Sequence, residues 1–196
     1  MSAPASHAGR IGPNAITRVA EVLPPRVGEA GTRSLFERAG LLHHLLSPPQ
    51  GMVEEAEVRR LHDALREELG TETAQQVALA AGQRTAEYLL AHRIPRAVQA
   101  LLKRLPAPLA ARVLLSAIRR NAWTFVGSGG IETEGGRRIR ITRCVLCQDP
   151  RVTSGGVYYA AVFERLFQEL VDASACVREV ACIRSGAPRC VFEIGR

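Results

Sequence analysis

The 196-residue sequence has a single lysine, Lys103, among its 26 cations, and only 5% of its residues are aromatic. So few aromatics argue against a stacking surface for single-stranded nucleic acid. No uninterrupted basic block occurs, and the cations are scattered through helical segments. At a net charge of +7 a solvated surface explains them, with attraction to an anionic ligand, membrane or nucleic acid as the competing reading. No run of 18 apolar residues is present, so no membrane-spanning helix is expected. Met1 to Arg10 lacks the apolar core of a secretory signal. These absences predict an intracellular protein, cytoplasmic and at most peripheral to a membrane. In a reducing compartment its five cysteines are expected as thiols or metal ligands, not disulfides.

The motifs of nucleotide chemistry are missing as well. There is no Walker sequence, no nucleophile elbow and no His-Glu-x-x-His. Gly127-Ser128-Gly129-Gly130 lacks the spacing and the following helix of a dinucleotide fingerprint. Glu132, Glu134 and Asp149 lie near turns, but nothing pairs them with a base or nucleophile. No catalytic residue, and no NAD or flavin site, is predicted.

What is present is a folding composition, with 46% hydrophobic and 23% charged residues. Residues 1–12 read as a frayed tail. Asn14 can cap a short helix to about Leu23, where Pro24-Pro25 stops it. A second helix is expected from Thr32 to Leu46. Glu54 to Leu69 places Val58, Leu61 and Leu65 on one stripe and ends at Gly70. Thr71 to His92 follows, with Thr73 and Gln76 spaced as a capping box. Ala78, Ala80, Ala81 and Gly82 allow close approach, either of another helix or of a flat ligand. Pro95 and Pro108 can each open a further helix.

After Arg120 the period changes. Trp123 to Gly127 reads as a strand, and Arg137 to Cys144 alternates with period two. Val157 to Asp172 is an amphipathic helix burying Tyr158, Ala161, Val162, Leu166 and Leu170. Cys176 to Arg184 and Arg189 to Ile194 read as a hairpin around Ser185-Gly186-Ala187-Pro188. The layout is α+β: a helical N-terminal half packed on a four-stranded antiparallel sheet. Residues 1–69 form a tail and helical extension, and residues 70–196 a ligand-binding domain.

The most specific chemistry is in the cysteines. Cys144 and Cys147 form a C-x2-C pair at the end of a strand, and Cys182 and Cys190 flank the hairpin turn. An odd-numbered loop centred on Gly186 sets Cys182 opposite Cys190, with Cβ atoms about 5 Å apart. A two-residue turn centred on Gly186-Ala187 puts them on opposite faces. In the first register the four thiolates suit the tetrahedral site that zinc prefers; the competing reading is small buried hydrophobes. Glu179 is the other candidate ligand. A regular strand points it away from Cys182, so it joins only if the strand bulges or starts after it. Among the helical histidines His43, His44, His62 and His92, one could serve as axial ligand to a magnesium porphyrin; the sequence does not choose which.

The segment from Glu179 to Phe192 has an acidic residue, Cys182, Gly186, Cys190 and Phe192 in a spacing that resembles the closing motif of the 4-vinyl reductase domain family. The small-residue stretch Ser154-Gly155-Gly156 with the helix after it, and the strand ending at Cys144, fit the same pattern. The resemblance covers residues 70–196 and implies the ligand-binding domain of NO-signalling and Golgi-transport type, as a homodimer. In sensor relatives Glu179, Cys182 and Cys190 match three zinc ligands. The fourth there is a cysteine near the helix start, where this chain has Gly155-Gly156, and Cys144 or Cys147 is the substitute.

The resemblance further implies a role in bacteriochlorophyll biosynthesis. Vinyl-group reduction on a protochlorophyllide would need a reductant site, and no nucleotide fingerprint is present. The expectation is therefore a carrier or assembly factor holding a magnesium porphyrin or protochlorophyllide-type ligand for pathway enzymes. The alternatives are a vinyl reductase, or a small-molecule sensor or interaction module. The cleft walls are expected from Ala78–Gly82 and the helix from Val157. Nucleic acid is not an expected partner.

Overall fold

The computed structural model describes residues 9–147 and 156–196; Asp149, Ser154 and Gly155 lie outside them. The stripe of Val58, Leu61 and Leu65 belongs to α4 (Glu55–His92), a helix of 38 residues broken at Gly70, where φ is 76°. A β-carbon disfavours that conformation, so the expected stop at Gly70 is present as a break between two helical halves. Reciprocal capping fixes the start of α4: the Glu54 amide donates to Glu57 Oε2 at 3.3 Å, and the Glu54 side chain accepts the amide of Glu57 in return. The capping box expected at Thr73 and Gln76 does not form. The helix resumes directly after Gly70, so Thr73 meets no free N-terminus.

Ahead of α4 come β1 (Arg10–Ile11), α1 (Asn14–Val22), α2 (Pro24–Arg38), α3 (Leu42–Leu46) and β2 (Val53–Glu54), with β1 antiparallel to β2. Pro24 and Pro25 do more than stop α1. Their fixed φ suits a first helical turn, and α2 begins on them rather than at Thr32. Gly40, with φ of 70°, separates α2 from α3, so the single helix expected to Leu46 is two.

Behind α4 come α5 (Arg96–Arg104), α6 (Ala107–Arg120), α7 (Trp123–Val126), β3 (Gly130–Glu134), β4 (Arg138–Thr142), α8 (Val157–Leu170), β5 (Cys176–Ala181) and β6 (Cys190–Gly195). Trp123 to Gly127, expected as a strand, is the helical turn α7. The Val126 amide bonds back to Ala122 O at 2.9 Å, so the chain continues the coil of α6 before entering the sheet. The carboxylate of Glu55, itself buried, then accepts from the Ser128 amide and hydroxyl and pins the glycine loop. The strands lie in the order β3-β4-β6-β5, every neighbouring pair antiparallel. The α+β architecture read from the sequence is the one observed.

The helix α8 contacts both α4 and the sheet. On the sheet side Phe163 meets Phe192 edge to face at 5.6 Å, and the Tyr159 hydroxyl donates to Phe125 O at 3.0 Å. On the α4 side a β-carbon at Gly82 would stand 2.8 Å from Ala161 Cβ. The small residues Ala78–Gly82 therefore serve close helix packing. The two expected cleft walls touch each other and leave no room for a macrocycle between them. One apolar cluster runs from Ile16 and Val19 of α1 through Leu61 of α4 to Phe192 of β6.

Candidate metal centre

The cysteines converge through one irregularity in the β5–β6 hairpin. Glu179 pairs with Phe192, but Ala181 pairs with Val191, so Val180 is an extra residue. Without it Glu179 and Cys182 would face opposite ways; the bulge turns Cys182 to the side of Glu179. The shifted register, continued by one residue, sets Cys182 opposite Cys190 about a loop centred on Gly186, whose φ is 89°. The two sulfurs are 3.9 Å apart. Two thiolates on one tetrahedral metal, each about 2.3 Å from it, lie about 3.8 Å apart.

Cys147 comes from the adjoining strand. Beyond β4 the chain turns at Arg143, with φ of 50°, into one turn of 3-10 helix, Val145–Cys147. Its last amide donates to Cys144 O at 3.0 Å. The donor atoms of Cys147, Glu179, Cys182 and Cys190 all lie within 4.8 Å of one another. Cys144 is buried and hydrogen-bonds with Cys147 and Cys190, but stands outside that set. Of the five expected ligands, four meet and one flanks them. Glu179 is oriented by the amide of Gly156, at the start of α8, which donates to its Oε2 at 3.3 Å.

The thiols are electrostatically unequal. Hydrogen bonds from Cys144 and then Cys147 stabilise the Cys190 thiolate and bring its pKa down to about 3. The thiol of Cys147 is pushed up because it shares hydrogen bonds with Cys144, Cys182 and Cys190, and because it is buried. A bound cation would take over the role of those shared protons. Two guanidinium groups stand nearby. The side chain of Arg184 is 1% exposed, with Nη2 3.6 Å from Asp63 Oδ1. Its Nε and Nη1 have no hydrogen-bond partner among the described residues. Arg66 also pairs with Asp63 and lies within electrostatic reach of Cys147. Two buried cations thus share one carboxylate beside the thiols.

Of the four helical histidines, His62 alone is buried. Its Nε2 is 3.2 Å from Ala15 O, and its ring meets Tyr158 edge-on at 5.9 Å. Burial, then the charge of Arg66, lowers its pKa from 6.5 to about 4, so the imidazole is neutral near pH 7. The Tyr158 hydroxyl shares a 2.8 Å hydrogen bond with Thr85. His43 and His44 face Glu57 at 3.8 and 3.2 Å on the surface side of α4, and His92 stacks near Tyr88 at 4.9 Å. Glu132 and Glu134 form exposed ion pairs with Arg189 and Arg140. An open groove of about 370 Å³ between α1, the start of α2 and α4 is lined largely by Glu21, Arg26, Gln83, Arg84 and Glu87, a charged lining that does not suit an apolar macrocycle.

Sequence reasoning did not find the set formed by His62, Asp63, Arg66 and Arg184. One signal was available: His62 and Arg66 are spaced i, i+4 alongside the apolar stripe of Leu61 and Leu65.

The family model of the 4-vinyl reductase domain matches residues 138–196, the segment that holds all four converging donors. The chain is 39% identical over 193 residues to the bacteriochlorophyll synthase 23 kDa chain of Cereibacter sphaeroides, covering 95% of this chain and 91% of that protein. It is 38% identical over 194 residues to the protein of the same description from Rhodobacter capsulatus, covering 98% and 90%. Among solved structures, an H-NOX protein from S. oneidensis in the Fe(II)NO ligation state aligns with a TM-score of 0.57 at 12% identity, covering 94% of this chain and 98% of that one. An Fe(II) unliganded H-NOX mutant from K. algicida aligns with a TM-score of 0.61 at 9% identity, covering 94% and 96%. A structure from a study of heme distortion in the H-NOX family aligns at 0.56 with 11% identity, covering 94% of each chain. At these identities the likeness is one of fold.

Proposed function

The chain belongs to the family of the bacteriochlorophyll synthase 23 kDa chains, which carries the 4-vinyl reductase domain, and from that premise we propose that it binds a magnesium tetrapyrrole intermediate of bacteriochlorophyll biosynthesis and delivers it to a pathway enzyme. The observation that carries this reading is the buried imidazole of His62, neutral near pH 7 and set between Tyr158 and the cations of Arg66 and Arg184. A neutral imidazole nitrogen is a metal ligand. Guanidinium groups with spare donors suit the carboxylates of a tetrapyrrole. The fold supports the reading too, because it is shared with H-NOX proteins whose structures concern heme and Fe(II).

Ala15 of α1 now occupies the imidazole nitrogen. Entry of a macrocycle therefore requires α1 to lift from α4, and α1 is the lid in this reading. Residues 70–196 form the ligand-binding unit, and residues 1–69 supply the cover.

In the same reading zinc occupies the set of Cys147, Glu179, Cys182 and Cys190. Three thiolates and a carboxylate fill a tetrahedral zinc and leave no open position, the pattern of a structural site. Zinc bound there ties the β5–β6 hairpin to the turn after β4. Four anionic donors around a divalent ion leave a charge of about −2, which the guanidinium groups of Arg66 and Arg184 offset. Zinc supplies no electrons, so the centre favours a carrier over a vinyl reductase.

The test is a titration with magnesium protoporphyrin IX. Wild-type protein at micromolar concentration shifts the pigment's absorbance without added reductant, and His62→Leu loses the shift while keeping its metal content. A wild-type protein that produces no shift overturns the carrier reading. Conversion of a divinyl pigment by the purified protein with a reductant replaces it with the reductase reading.

A further inference from the structure

From Tyr88 to Ile131 the sequence contains no Asp or Glu, yet it holds Lys103 and six arginines. Those seven charges equal the whole net charge of +7; the rest of the chain is neutral, with nineteen cations against nineteen carboxylates. All seven are exposed. Among the described residues only Lys103 has a carboxylate partner, Glu169 at 2.6 Å. The excess charge of the protein is thus confined to one surface segment, built from α5, α6 and the chain on either side of them.

The same segment displays apolar surface. Val98, Leu101, Leu109, Val113 and Trp123 are 40%, 57%, 47%, 39% and 43% exposed. On α5 the residues Val98, Leu101, Leu102 and Leu105 lie on one stripe at helical spacing, but only Leu102 is buried. On α6 the core takes Ala110, Ala111, Leu114, Leu115 and Ile118. Leu109 and Val113, one turn apart, fall on the opposite face together with Arg112 and Arg120. Large apolar side chains interleaved with arginine, free of any acidic residue, are the composition of a helix that lies in a membrane interface. Tryptophan is enriched at that depth. No helix among the described residues is long and apolar enough to cross a bilayer, so the contact is with a surface.

We propose that α5, α6 and Trp123 form a docking face for an anionic lipid bilayer, with Leu101, Leu109 and Val113 entering the headgroup boundary and Arg112 and Arg120 pairing with lipid phosphates. A nucleic acid would use the charges but gain nothing from the exposed leucines. The face is distinct from the thiol cluster and from His62, so it stands whether or not a pigment binds.

The experiment is cosedimentation of the full chain with vesicles of phosphatidylcholine, with and without phosphatidylglycerol. The protein pellets with the anionic vesicles and is released by salt, because surface electrostatics is screened within about 10 Å at 0.1 M ionic strength. The substitutions Arg112→Gln and Arg120→Gln each weaken partitioning about fivefold, the equivalent of about 1 kcal/mol per cation at an anionic surface. The pair Leu101→Gln and Leu109→Gln weakens it at least tenfold. All four sites are exposed, and an unchanged melting temperature confirms that the fold is intact. Failure to pellet with anionic vesicles overturns the proposal. So does retention on duplex DNA that equals vesicle binding at the same salt and ignores the leucine changes.

Discussion

Gly156 and Glu179 are locked together. The amide of Gly156 donates to the Glu179 carboxylate, and a β-carbon at Gly156 would stand 2.6 Å from Glu179 Cδ. The glycine ahead of α8, where the sensor relatives are expected to carry a cysteine, is the space that the carboxylate fills. Gly156→Ala is therefore expected to push Glu179 away from the three thiols and to weaken zinc retention about tenfold or more, the scale of losing a group that orients a ligand. Competition with a chelating dye reads the change. Unaltered retention would show that Glu179 is not a ligand.

The five cysteines are expected to divide into two classes. Cys147→Ala, Cys182→Ala and Cys190→Ala each remove a converging donor and should lose the metal, with a lower melting temperature, since metal binding to a folded site is folding free energy. Cys144→Ala and Cys176→Ala lie outside the set and should keep one equivalent. Elemental analysis of the five purified variants separates the classes. Metal loss in Cys144→Ala with retention in Cys147→Ala would restore the other member of the C-x2-C pair as the fourth ligand.

The periodic parts of the fold were legible because burial imposes a period. The buried residues of α8 and the alternation of Ile139 and Ile141 in β4 could be read directly. The Gly186-centred register was legible as one of two options. The Val180 bulge that brings Glu179 and Cys182 to one face was not, because a bulge depends on cross-strand packing. Trp123 to Val126 misled because aromatic and β-branched residues favour strands in general. In this chain the hydrogen bonds back to Asn121 and Ala122 decide the local conformation. Arg184 gave no sign of burial, since a buried guanidinium is set by the charges the fold brings to it and not by its neighbours in sequence.

The helix interface between α4 and α8 makes a separate demand. Gly82 packs against Tyr158 and Ala161 with no space for a side chain. Gly82→Ala gains helix propensity but overpacks the interface, and the second effect is the larger, about 1–3 kcal/mol of destabilisation. Urea unfolding of the variant should show a lower midpoint with an unchanged slope. A stabilised variant would mean that α4 and α8 can separate, reopening the space between them to a ligand.

The last prediction concerns acid. His62 has its pKa lowered from 6.5 to about 4 by burial and by Arg66, with Arg184 acting in the same direction and the contact with Ala15 opposing both. Between those two values the unfolded chain binds a proton that the native chain does not. Stability from this residue is complete above pH 6.5 and is lost as pH falls toward 4. The loss is about 3 kcal/mol, since each pH unit between the two values is worth about 1.4 kcal/mol. The carboxylates of the protein also respond to acid, so the comparison is with His62→Gln, which lacks this titration. Urea unfolding between pH 7 and pH 4 should show the wild type losing about 3 kcal/mol more than the variant over that window. Parallel profiles would place the imidazole in contact with water, which would also remove it as the neutral ligand on which the carrier reading turns.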